Sequence, residues 1–446
     1  MMPISDNWKG ILFMNDMNKS GRMSQLKNPF FTSNATNILM FFAGWGIWWS
    51  FFQIWLTTKQ GFTGAQVGEI YSFNSAFSLI ANLVYSNIQD RLGLKRNLLI
   101  FCACLQVFLG PFFTFLFVPM LHANLELGAL IGSCYLTLAY LSASPMFEAL
   151  TERASRRFNY QYGSARAWGS FGYAVSALLA GFVFTINPSL LFWIGSAIAV
   201  VLLLLLLFWN PVRNKETVAR FENEMVRERE NSKPGSRDFL NVFKVRSLWE
   251  IAIFLVFSGT FYTIFDQQMF PQFFTQFFKT QAMGDHMYGI LNSVEVFLEA
   301  LMMGLVPLLM KKIGVRRTIL VGVTFMFIRI GGCGLITNPL GVSMIKLLHA
   351  PETAIFCVVM FRYYTLHYDP RVSATINIVT GIAGSFGQIL LSTPLGLLRD
   401  HIGYQPTFLV IAGIVFCAGI VFCAGIYGLF IIRRDDQEVN GERLSE

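Results

Sequence analysis

The sequence predicts an all-α membrane protein: twelve transmembrane helices in two six-helix bundles. Three observations predict it. The 446 residues are 54% hydrophobic and only 13% charged, where soluble proteins carry about 25% charged residues. Apolar runs of about 20 residues, each long enough to cross a bilayer, recur along the whole length. A polar segment at 210–246 divides those runs six and six. A transmembrane barrel would instead show alternating segments of about ten residues.

Taken in order, residues 1–30 are polar and mixed and are not expected to be a signal peptide, and 1–34 is expected to form a cytoplasmic segment. The first bundle occupies 35–209, with spans near 35–57, 65–88, 97–120, 126–151, 163–185 and 189–209. The segment 210–246 is rich in Lys, Arg, Glu and Asn and reads as a flexible cytoplasmic linker. The second bundle occupies 247–432, with spans near 247–276, 287–310, 316–337, 340–366, 372–397 and 404–432, before a cytoplasmic tail at 433–446.

Alternate loops carry the basic residues: Arg91, Lys95 and Arg96; Arg153, Arg156 and Arg157; Lys311, Lys312, Arg316 and Arg317; and the tail Arg433 and Arg434. The positive-inside rule then places both termini in the cytoplasm of a multi-pass protein of the inner membrane. The net charge of +8 resides in these loops, so it is a topology signal and not a nucleic-acid footprint. The seven cysteines lie in apolar segments without a Cys-x-x-Cys pair, which fits small buried hydrophobes and no metal or redox site.

An internal repeat joins the halves. Asp90-Arg-Leu-Gly93-Leu-Lys-Arg96 follows the second span, and Lys311-Lys-Ile-Gly314-Val-Arg-Arg317 follows the eighth. Gly169-Ser-Phe-Gly172 in the fifth span is matched by Gly384-Ser-Phe-Gly387 in the eleventh. Two six-helix halves related by an axis along the membrane normal is the major facilitator arrangement. The first loop motif resembles that superfamily's loop between spans two and three, with Ser86 departing at the usual first glycine.

The spans hold few ionisable groups. Lys346, His349 and Glu352 recur every third residue of the tenth span, on one helical stripe about 120° wide. Glu148, Arg166, Asp266, Glu295, Glu299 and Arg329 lie in other spans. Each buried charge costs about 2.5–3.5 kcal/mol on insertion scales, so partners are required. Static ion pairs that fix helix register would account for two or three of them, Lys346 with Asp266 among these. They do not account for His, Arg and Glu together in spans eight to ten. A histidine titrates near neutral pH, and an arginine drives the proton off a carboxyl that it approaches. That set is the chemistry of proton coupling. Glu148, Arg166 and Tyr173 add carboxylate, guanidinium and aromatic ring, the elements that bind a polyol, and Gln267 and Gln268 follow Asp266.

On Phe265-Asp-Gln-Gln268, Lys346-x-x-His-x-x-Glu352, Ser144-Pro-Met-Phe-Glu148 and Tyr162-Gly-Ser-Ala-Arg-Ala-Trp-Gly169, the chain resembles the oligosaccharide:proton symporters over about residues 35 to 430. The resemblance implies that Glu148 and Arg166 are a charge pair contacting sugar hydroxyls and that Tyr173 stacks on the sugar. It implies that Tyr262, Arg329, His349 and Glu352 couple the proton, with Glu352 as carrier and His349 linking to the sugar, and that Asp266 and Lys346 form an interhelical pair. Two departures stand out. A second charge pair between spans seven and eleven is replaced by neutral Thr263 and Ser385, as in the sucrose-transporting members. The family's sugar-binding glutamate aligns with Val296, flanked by Glu295 and Glu299, of which Glu299 is favoured. Trp48 and Trp49 are read as packing or interfacial anchors.

The reading is proton-coupled uptake of a disaccharide by alternating access, sucrose first and a galactoside such as lactose or melibiose second. The protein is expected to act as a monomer in the bilayer, with the proton as coupling ion and no cofactor. A non-transporting sensor is disfavoured because 210–246 is too short for an output domain. An exporter would want a less polar cavity. An enzyme would need a nucleophile–base pair or metal-ligand spacing, and neither is present.

Overall fold

A computed structural model describes residues 27–211, 246–367 and 370–429. The expected linker and C-terminal tail lie almost wholly outside the described residues. Twelve helical units run through the rest. They are α1 (Pro29–Lys59), α2 (Gly64–Leu92), α3 (Asn97–Val107 and Leu109–Ala123, bent by 45°), α4 (Leu125–Arg157), α5 (Tyr162–Ile186) and α6 (Leu190–Phe208), then α7 (246–275), α8 (Gln281–Ile313), α9 (Val315–Leu335), α10 (Pro339–Lys346 and His349–His367), α11 (Pro370–Ile402) and α12 (Tyr404–Leu429).

Local chemistry starts these helices. Asn28 accepts from the Phe30 amide with Pro29 at the first helical position, so α1 begins at Pro29 and not near residue 35. Thr63 and Gln66 form a reciprocal capping box on α2. Asn124, Thr280 and Asn338 cap α4, α8 and α10 with a single bond each, their side-chain oxygens accepting from the Leu127, Met283 and Gly341 amides. The repeat is physical as well as textual. Gly93 and Gly314 both take positive φ, 60° and 85°, where the chain turns from α2 to α3 and from α8 to α9.

Prolines break two helices beside the ionisable residues Asp266, Lys346 and His349. Pro351 has no N–H for the Leu347 carbonyl, which accepts from Ala350 instead, and α10 therefore turns at Leu347–Leu348. Pro271 likewise leaves the Gln267 carbonyl of α7, which accepts the Tyr71 hydroxyl of α2 at 3.2 Å. Just before it, residues Phe265–Met269 form a π-helical turn that contains Asp266. Such turns cluster at functional sites.

The bundles meet through α2 against α11 and α5 against α8. Gly181 and Gly289 allow the second contact: a Cβ on Gly289 would lie 2.9 Å from the Gly181 Cα. Asp400 at the end of α11 accepts both the Gly64 and Ala65 amides at the start of α2, each at 2.8 Å. Thr185 pairs with His286 at 3.0 Å. Among the described residues, the hydrogen bonds that join the bundles span from the middle of α2 and α11, at Ser75–Gln388, to the end carrying Gly61, Asn187 and Gly403. That end is closed.

Candidate functional site

Four helices bring six ionisable side chains together. Arg329 of α9 is fully buried and makes two forks. Its Nε and Nη2 donate to Glu352 at 2.6 and 2.9 Å, and its Nη1 and Nη2 donate to Asp266 at 2.8 and 2.9 Å. Lys346 donates to Asp266 and lies 3.1 Å from Glu295. His349 Nε2 lies 3.0 Å from Glu295, and its Nδ1 lies 3.3 Å from Asp266 without good alignment. Planar, always-charged guanidinium suits the double fork, which a lysine would not fill.

Tyr262 closes one side of the cluster. Its ring stacks on the His349 imidazole at 5.1 Å and 8°, and its hydroxyl meets His349 Nε2 at 3.0 Å and the Thr353 hydroxyl at 2.6 Å. Lys346, His349 and Glu352 thus face one cluster, though not on one continuous helix. The Leu347–Leu348 turn places Lys346 on one segment of α10 and the other two on the next. A second difference concerns the pairing. The resemblance implies an Asp266–Lys346 pair, with Arg329 and Glu352 among the coupling residues; instead Asp266 serves Lys346 and Arg329 together, and the groups form a single network.

With His349 neutral, the charges in that network do not cancel. Asp266, Glu295 and Glu352 face two fixed cations, Arg329 and Lys346, with His349 titratable. One added proton makes the set neutral. Burial makes that proton matter, because an uncompensated charge in a low-dielectric interior is costly.

Across the molecular midline, Arg166 of α5 donates from Nε to Glu148 of α4 at 2.7 Å and from Nη1 to Ser170 at 3.2 Å. Its guanidinium lies over the Phe42 ring at 4.3 Å. This pair is partly exposed, at 28% and 32%, unlike the Arg329 network. A cavity of ≈ 230 Å³ separates the two sets, lined by Arg166, Tyr173, Glu299, Glu295, Asp266, Gln267 and His349 among others. Glu148 is not in its lining and acts on it through Arg166. Of the two flanking glutamates, Glu295 belongs to the charge network, whereas Glu299 faces the cavity without an ion pair among the described residues.

Sequence reasoning missed Trp49, Gln53, Ser170 and Asn292, which also line the cavity. Trp48 is wholly buried between Phe113, Tyr140 and Phe192 and so is packing, while Trp49 lies against Phe52 and faces the cavity, so neither is an interfacial anchor. The available signal was Trp49 and Gln53 four residues apart, one face of α1.

Comparison with known proteins decides the family. The family model described as LacY proton/sugar symporter matches residues 23–439. The chain is 36% identical to the sucrose permease of Escherichia coli over 414 residues, 93% of this chain and 96% of that protein. The chain belongs to the LacY proton/sugar symporter family. Other LacY-family relatives include the raffinose permease of Escherichia coli, 34% identical over 82% of this chain and 85% of that one, and the lactose permease of Citrobacter freundii, 35% identical over 82% and 87%. Solved structures support the fold alone. The nucleoside transporter NupG superposes with a TM-score of 0.72 at 16% identity, covering 89% of this chain and 98% of that one. The D-xylose-proton symporter superposes at 0.61 and 12%, covering 92% and 99%. As a LacY-family member, the protein is a multi-pass sugar/proton symporter and not an enzyme.

Proposed function

We propose that this symporter takes up sucrose together with a proton across the bacterial inner membrane, with both termini in the cytoplasm. The observation that carries the reading is one cavity bounded on one side by Arg166 and Tyr173 and on the other by a buried network one proton short of neutrality. Arg166, held by Glu148, and Glu299 take sugar hydroxyls, and Tyr173 stacks on the sugar ring. His349 touches both cavity and network, so bound sugar and bound proton meet there. Glu352 carries the proton, and Arg329 drives it off when the two close.

Sucrose is favoured over a galactoside by Tyr173 and by neutral Thr263 and Ser385, and by the relation to a sucrose permease. With the basic loops in the cytoplasm, the closed end faces outward and the cavity faces the cell interior, a state ready to release sugar. The test is addition of sucrose, lactose or melibiose to de-energised cells carrying the protein. Sucrose should alkalinise the medium. Alkalinisation by lactose or melibiose alone would replace sucrose with a galactoside, and none with any of the three would overturn the reading.

A further inference from the structure

Gln53 of α1 is 1% exposed and lines the cavity. Its Oε1 accepts the Gln272 amide of α7 at 3.0 Å. That amide lies in the first turn after Pro271, and Gln53 caps it from the opposite bundle. The contact also fixes which end of the side-chain amide is oxygen. The Gln53 Nε2 is left buried with no partner. A buried NH₂ without an acceptor is costly, and the cavity that Gln53 lines is the space beside it in which an acceptor can bind.

The capped residue leads onward. Gln272 Oε1 accepts from the Tyr404 hydroxyl, which accepts from Arg399 Nη1 at 3.2 Å. Arg399 Nη2 donates to Asp400 at 2.7 Å, and Asp400 holds the Gly64 and Ala65 amides of α2. A continuous hydrogen-bonded chain therefore runs from the cavity wall to the seal of the closed end, crossing between the bundles at each of its two termini.

We propose that Gln53 is a further sugar-specificity residue: its free amide NH₂ donates to a sugar hydroxyl while its carbonyl holds Gln272 and, through it, the seal. The inference rests on the cavity being the sugar site. Occupancy of the NH₂ by sugar competes for the side chain's position, so binding and the seal share one residue.

The experiment separates the two ends of the side chain. Gln53→Glu keeps the acceptor for Gln272 and loses the NH₂; Gln53→Leu loses both. Proton-coupled sucrose uptake is measured for each with the amount of protein in the membrane, together with labelling of a Thr393→Cys reporter at the α2–α11 contact by an impermeant maleimide. Both variants should raise KM about tenfold, the value of one neutral hydrogen bond. Only Gln53→Leu should raise labelling, because only it frees Gln272. Wild-type KM in both variants, with uptake still lost in Arg166→Ala, would overturn the role of Gln53 and leave the sugar site standing. Unchanged uptake in Arg166→Ala as well would overturn the site itself. Equal labelling of the two variants would overturn the link to the seal.

Discussion

At the scale of single residues, the decisive group is Arg329. It is fully buried and satisfies two carboxylates on two other helices. Replacing it with Met strands Glu352 and leaves Asp266 to Lys346, and loss of a buried partner costs about 3–5 kcal/mol. The Arg329→Met protein should melt at lower temperature in detergent and be scarce in membranes; a wild-type melting temperature would show that the forks contribute nothing. Glu352→Gln acts differently, because it leaves Arg329 bound to Asp266. It should abolish uphill accumulation yet keep exchange of labelled for unlabelled sugar, measured in preloaded vesicles. Continued accumulation would remove Glu352 as the proton carrier. Glu299→Gln should weaken sugar binding without touching the melting temperature, since Glu299 has no ion pair among the described residues. All three residues were legible in the sequence as ionisable groups inside apolar spans. Gln53 and Asn292 were not, because an uncharged amide in an apolar helix carries no comparable energetic signal.

At the scale of helices, the breaks in α7 and α10 do the positioning. Pro351 turns α10 between Lys346 and His349, so both side chains reach Asp266. Pro351→Ala would let the helix run straight and rotate Lys346 away. Sucrose-dependent alkalinisation should fall at least severalfold while the melting temperature changes little; unaltered coupling would show that the turn is incidental. The prolines were visible in the sequence, but a regular 3.6-residue period was the better local description. Only where the carbonyls of Leu347 and Gln267 find other donors does each break become evident. The caps, by contrast, were written locally in Asn28-Pro29 and Asn338-Pro339, and α1 begins earlier than hydropathy alone suggests because Asn28 and Pro29 decide it.

At the scale of the whole molecule, the end carrying Gly61 and Gly403 is shut by backbone contacts that side chains would prevent. Gly289→Leu should force α5 and α8 apart. Labelling of a cysteine placed near that contact from outside the cell should rise and net uptake should fall; unchanged labelling would show that the contact is not the seal. A reporter active only outside the cytoplasm should work when fused after Gly403 and fail when fused after Arg317, as the basic loops require.

Hydropathy, basic loops and the Gly93–Gly314 repeat were enough for the twelve helices, their two halves and the superfamily resemblance, because crossing a bilayer constrains each span by itself. The inventory of buried charges followed for the same reason: a buried ion is conspicuous wherever it stands. Tertiary structure alone decided how those charges are shared. Asp266, Glu295, Arg329 and Glu352 lie on four helices, and their distances depend on packing angles and on two proline breaks, which no local period encodes. The same packing decided which end is closed, and it set the Gln53 amide against the cavity with half of its hydrogen-bonding capacity unspent.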